Sequence, residues 1–137
     1  MLNIEYSKEI ISDPDLLPEV EEFFQNIADE LKLDETKQNN LTLSASEAVS
    51  NSMLHGNKLD KSKTIKISVV VNESIIVVKF TDQGKGFNPK EVPDPTAPEN
   101  ILKDSGRGIH IMKSFLSDLK YNFTPEGTET ILTMSLD

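Results

Sequence analysis

Apolar and polar residues alternate from Leu2 to Ser7 (LNIEYS), the two-residue period of a short strand. Ser12-Asp13-Pro14 breaks the alternation with helix-start chemistry. From Asp15 to Leu33 the residues Leu16, Leu17, Val20, Phe23, Phe24, Ile27, Ala28 and Leu31 then recur at the spacing of an amphipathic helix. Its other face is acidic (Glu19, Glu21, Glu22, Asp29, Glu30), the pattern of a solvated surface that a partner protein could also meet. Asp34 caps a second helix or its lead-in turn, and that helix reads from Leu41 to Asn57 (LTLSASEAVSNSMLHGN). Leu41, Ala45, Ala48, Val49 and Ser52 make a small packing stripe, while Leu43 and Leu54 border Glu47 and Asn51 on the other side. Leucines beside polar residues predict a buried helix whose Glu/Asn pair looks into a pocket. Gly56 stands where a left-handed C-cap is expected.

Two β-branched runs follow, Thr64 to Asn72 and Ser74 to Asp82, joined through Asn72-Glu73-Ser74 as an antiparallel hairpin. The second run is nearly continuous in apolar residues and is expected at the centre of a sheet. Asn88 to Ser105 carries Pro89, Pro93, Pro95 and Pro98, and an irregular stretch of that length inside a compact domain is usually functional. Gly106-Arg107-Gly108 opens a helix from Ile109 to about Leu116, and Leu119–Thr124 with Thr128–Leu136 form a closing hairpin across Pro125-Glu126-Gly127. The order β-α-α-β-β-loop-α-β-β predicts an α+β fold over residues 1–137. It is a two-layer α/β sandwich with a mixed, mostly antiparallel sheet and helices on one face.

With 137 residues the chain can bury a core without staples, and with no cysteine it has neither a disulfide framework nor a thiolate zinc site. No signal-peptide pattern or membrane-length apolar run is present, so the expectation is a soluble cytoplasmic protein. A formal charge of −9 argues against binding a nucleic-acid backbone, where clustered Lys and Arg supply the affinity. Any polyanionic ligand must therefore be held locally, by a metal, by backbone amides or by a few placed cations. The single arginine, Arg107, sits between two glycines.

Glu47 and Asn51 are four residues apart, so about 100° per residue puts both on one helix face. The amide oxygen suits a hard cation such as Mg²⁺, and the carboxylate can take a proton or orient a water; read alone, the pair could equally be two surface residues. Asp82-x-Gly84-x-Gly86 ends a buried strand. A carboxylate there can accept from an exocyclic amine such as adenine's, with glycines letting a flat ring approach, although the same pattern also makes ordinary turns. Gly106-Arg107-Gly108 at a helix start offers free amides, the positive end of the dipole and a guanidinium to phosphate. His55 reads either as a partner for the last helix carbonyls or as the border of a nucleotide pocket.

The series is more specific than its parts. Glu47-Ala48-Val49-Ser50-Asn51 with His55-Gly56, then Asp82-Gln83-Gly84-Lys85-Gly86, a Pro-rich loop, Gly106-Arg107-Gly108 and Gly127-Thr128 resemble the N, G1 and G2 boxes and late Gly-Thr of the histidine-kinase-like ATPase (GHKL) superfamily, which has the Bergerat ATP-binding fold. EAVxNxxxHG is most similar to bacterial anti-sigma factors that are also serine-protein kinases. That resemblance implies ATP and Mg²⁺ as cofactors. Asn51 would be the Mg²⁺ ligand, Glu47 the general base, and Asp82 the adenine reader. Gly84, Gly86 and Thr128 would shape and support the base pocket, Gly106 and Gly108 would lie along the phosphates, and residues 88–105 would form an ATP lid. Arg107 is added from charge alone. The implied partners are a sigma factor, a STAS-type anti-anti-sigma protein that accepts the phosphate, and a second copy of the chain. No phospho-accepting histidine helix precedes the motifs, so the expected acceptor is another chain. Two alternatives stay open: a nucleotide-gated binding module without phosphoryl transfer, and an interaction domain whose glycine motifs are only turns.

Overall fold

The computed structural model describes residues 3–84 and 116–136. Gly86, Gly106, Arg107, Gly108, the expected lid at 88–105 and nearly all of the expected helix at 109–116 lie outside the described residues; Leu116 itself opens a strand. The elements in order are β1 (Ile4–Ile11), a 3₁₀ turn (Pro14–Leu16), α1 (Leu17–Glu30), α2 (Glu35–Asn51), a π-helical turn (Ser52–Gly56), β2 (Thr64–Val71), β3 (Ile75–Thr81), β4 (Leu116–Thr124) and β5 (Gly127–Ser135).

The five strands form one sheet in the order β1-β2-β3-β5-β4, with β3 at its centre as its apolar run predicts. All four described pairings are antiparallel. Alternation sends Ile65, Ile67, Val69 and Val71 of β2, Ile76, Val78 and Phe80 of β3, and Leu132 and Met134 of β5 into the core. There they meet Val20, Phe24, Ile27 and Ala28 of α1 and Leu41, Ala45, Ala48 and Val49 of α2. Phe24 packs on Phe80 with ring centroids 6.0 Å apart, one of the contacts that join the two layers. Burying side chains of this size stabilises the fold by about 1.5–3 kcal/mol each.

β1 runs four residues past its expected end. Lys8 lies on its helix-facing side, where alternation would call for an apolar residue. Its ammonium reaches Glu19 at 3.3 Å and lies 6.0 Å from the Phe23 ring centroid, so a long polar side chain completes the pattern from the margin of the core. Ile10 beyond it is buried. At the next boundary the Asp13 side chain accepts from the Asp15 amide at 3.0 Å, giving the expected break.

α2 starts at Glu35, six residues before its apolar stripe, because Asp34 Oδ1 accepts from the Lys37 amide at 2.8 Å. Two expectations for this helix need correcting. It is not buried all round: Leu43 and Leu54 are 38% and 49% exposed, and only the stripe from Leu41 to Ser52 is covered. Gly56 is not a left-handed cap either. The helix passes through the π turn to Asn57 at φ −82°, and the left-handed residues are Lys58 and Leu59 at φ 55° and 60°.

Candidate functional site

The site is built where the end of α2 meets the end of β3. The Asp82 amide donates to the Thr128 carbonyl at 3.0 Å, carrying the β3–β5 ladder one step past Thr81. Its side chain is 1% exposed. Oδ1 accepts from the Gly84 and Thr128 amides, both at 3.0 Å, while Oδ2 has no hydrogen-bond partner among the described residues. Burial pushes the Asp82 carboxyl above its ordinary range, against the opposing pull of the Thr128 and Gly84 amides and the Lys63 charge. One oxygen is thus held by the backbone, and the other is left as a buried acceptor.

Three glycines pack closely around Asp82. A Cβ on Gly56 would stand 2.1 Å from Asp82 Oδ2, and one on Gly84 would stand 1.9 Å from the Gly56 carbonyl oxygen. Gly127, at φ +158°, would carry its Cβ 1.8 Å from the Asp82 carbonyl oxygen. Gly56 is therefore present for close approach and not for backbone handedness. The Thr128 hydroxyl is fully buried and likewise unpartnered. Buried polar atoms ordinarily find partners, so the unpartnered Asp82 Oδ2, on a residue whose other oxygen is held by the Thr128 and Gly84 amides, is a candidate acceptor for a polar ligand. The acceptor faces glycine surface, a combination that suits the amine edge of a flat heterocycle.

Glu47 and Asn51 lie earlier on the helix that delivers Gly56, half-buried and one turn apart. Burial raises the Glu47 carboxyl above its ordinary value, the direction a general base needs. Of the residues expected from sequence, Asp82, Gly84 and Thr128 are in direct contact, and Glu47 and Asn51 share their helix with the glycine that touches Asp82.

Sequence reasoning missed three participants. Ser52, assigned only to packing, buries a hydroxyl with no partner among the described residues, one turn before Gly56. Asn57 is fully buried and bonds Ser12, Thr64 and Gln83 through its side chain. Gln83 accepts from the Thr64 amide at 2.7 Å. The signal available was the Gly-Asn pair closing the helix, but its partners lie in distant segments. A cavity of about 440 Å³ lined by Leu31, Lys32, Leu33, Val71, Asn72 and Leu136 lies at the opposite end of β2 and β3, away from these residues. Among the described residues no helix is long and apolar enough to cross a membrane.

Comparison with known proteins agrees with this geometry. The anti-sigma F factor of Bacillus licheniformis is 36% identical over 96 residues, a match spanning 66% of this chain and 64% of that one. The anti-sigma F factor of Clostridium perfringens is 33% identical over 97 residues, covering 67% and 68%. In three dimensions, the histidine kinase domain of the Erythrobacter litoralis EL346 blue-light activated histidine kinase superposes on 90% of this chain and 60% of its own, with a TM-score of 0.58 at 15% identity. That likeness fixes the fold. Residues 10–135 match the histidine kinase-like ATPase domain, and with that extent the chain belongs to this family.

Proposed function

We propose that this protein is an ATP-dependent protein-serine kinase and anti-sigma factor, which phosphorylates a STAS-type anti-anti-sigma protein and sequesters a sigma factor. The observation that carries the nucleotide half is the unpartnered Oδ2 of buried Asp82, set against Gly56. An adenine amine supplies the donor that this oxygen lacks. The partner half rests on the similarity to anti-sigma F factors.

In this reading the adenine amine reaches Asp82 beside its contact with Gly56, with Gly84 as backbone wall and Thr128 supporting the ring. The phosphates then run back along α2 toward Asn51 and Glu47. Among the described residues no three His, Asp or Glu side chains could hold a metal together. Asn51 would hold a cation that arrives with the phosphates, and Mg²⁺ there would supply charge neutralisation at the transferring group. Glu47 accepts the proton of the acceptor serine as its oxygen attacks the terminal phosphorus, and ADP departs with the bridging oxygen. A carboxylate whose affinity for protons is raised by burial does this better than one in water. Gly86, Gly106, Arg107 and Gly108 are proposed from sequence to complete the base and phosphate contacts, and residues 88–105 to cover them.

The test is to incubate the protein with Mg·ATP and each STAS-domain protein of its genome and to look for one added phosphate by mass spectrometry. A phosphoserine lost with Glu47→Gln supports the kinase. No transfer despite ATP binding would replace it with a nucleotide-gated binding module.

A further inference from the structure

Asn57 is an unusual residue to find fully buried, and each atom of its amide is used. Nδ2 donates to Ser12 Oγ and to the Thr64 carbonyl at 3.0 Å, and Oδ1 accepts from the Gln83 amide at 2.8 Å. Gln83 returns the tie, its side-chain oxygen accepting from the Thr64 amide at 2.7 Å. Both backbone groups of Thr64 are thus engaged, one by Asn57 and one by Gln83, in a closed ring of three residues. Only a carboxamide in this orientation meets the pattern, since an amide N–H faces Oδ1 and a carbonyl faces Nδ2.

The ring lies one residue from the candidate adenine pocket in both segments. Asn57 follows Gly56, and Gln83 separates Asp82 from Gly84. The segments 56–57 and 82–84 run against each other so closely that a Cβ fits at neither Gly56 nor Gly84. The Asn57–Gln83 bond joins them directly and holds the distance between Gly56 and the free oxygen of Asp82. Since the π turn ends at Gly56 and Asn57 donates its own amide back to the Ser52 carbonyl at 2.9 Å, the same residue anchors the end of the helix.

We infer that Asn57 is a positioning residue for the base pocket: through Gln83 it fixes the packing of Gly56 on Asp82, and so the place of Asp82 Oδ2 and the selectivity for adenine over guanine. The inference rests on the adenine reading above and deepens it. Guanine presents a carbonyl where adenine presents its amine, so discrimination depends on holding Asp82 Oδ2 at hydrogen-bond distance from that position. A loosened contact displaces Oδ2, which costs the adenine bond and also relaxes the repulsion of guanine.

The experiment compares Asn57→Ala with Ser12→Ala, which removes one acceptor of the same Nδ2 but leaves the Gln83 bond untouched. ATP and GTP affinities are measured by calorimetry beside thermal unfolding. Asn57→Ala is expected to weaken ATP about tenfold and to lower the ATP-to-GTP affinity ratio, whereas Ser12→Ala changes both by less than about twofold whatever it does to stability. If Asn57→Ala does not fold, Asn57→Asp serves: its oxygen still accepts from Gln83, so stability falls while the ratio is kept. An unchanged ratio in Asn57→Ala, an equal drop in Ser12→Ala, or a lost ratio in Asn57→Asp would each overturn the inference. A wild-type protein that binds no ATP would instead overturn the adenine reading, and this inference with it.

Discussion

Asp82→Asn separates the acceptor from the shape of the pocket. The replacement is isosteric, and its side-chain oxygen can still accept the Gly84 and Thr128 amides that Asp82 Oδ1 holds at 3.0 Å. That orientation turns the new NH₂ to the position against Gly56 where Oδ2 now stands. The opposite rotamer would set the NH₂ against two N–H donors and is disfavoured by the same geometry. An adenine amine would then meet a donor instead of an acceptor. The loss is a hydrogen bond to a charged group, about 1.5–3 kcal/mol, with a further cost of about 1–3 kcal/mol for the donors left unpaired. A total near 3 kcal/mol already weakens ATP by more than about a hundredfold. Stability moves the other way. The folded-state affinity of Asp82 for a proton is raised by burial, so its ionisation costs the native state stability as pH rises from the ordinary carboxylate range to the raised value. Asn carries no such cost. At neutral pH the variant should melt at or above the wild-type temperature, and the difference should close in acid. Calorimetric titration with ATP and thermal unfolding across pH test both halves. An affinity within about threefold of wild type would refute the adenine assignment. A large loss of melting temperature would refute the claim that the two amides keep an acceptor.

Glu47→Gln should keep ATP affinity within a small factor and abolish phosphoryl transfer; transfer at the wild-type rate would remove Glu47 as base. Because burial raises the Glu47 carboxyl, wild-type transfer should fall with decreasing pH starting above the ordinary carboxylate range, as read in single-turnover rates. Gly56→Ala puts a methyl 2.1 Å from Asp82 Oδ2, so ATP binding should be lost and stability reduced by about 1–3 kcal/mol, measured by titration and denaturant unfolding. Thr128→Val removes a buried hydroxyl without a described partner, so melting temperature should hold or rise while ATP affinity drops; unchanged affinity would exclude the hydroxyl from the base pocket.

What the sequence made legible was local. β3 reads as a central strand because its apolar run is nearly unbroken, and Asp82 stands out because a carboxylate ends that run before glycine. Glu47 and Asn51 fall on one face by helical arithmetic alone. The unread parts depend on contacts between distant segments. Gly56 looks like a helix cap until β3 brings Asp82 against it, and Asn57 looks like a turn residue until its three partners converge. Lys8 hid the second half of β1 because its neighbours Glu19 and Phe23 belong to α1. Leu43 and Leu54 misled in the opposite sense: apolar residues beside a polar pair suggested burial that the described fold does not provide.

One continuous rod carries Glu47, Asn51 and Gly56. Nine residues separate the first from the last, about 13 Å at the rise of a helix. Gly56 packs against Asp82, so in the proposed reading the depth at which a heterocycle would seat is measured from the same backbone that carries the carboxylate at the other end. The helix works as a gauge. Inserting or deleting one residue within the π turn would rotate Glu47 by about 100° relative to Gly56 and shift it along the axis by about 1.5 Å. If the proposed reading holds, such a change of length would uncouple the two ends of the site, and a ligand shortened by one phosphate would seat its base normally yet stop short of the reacting end.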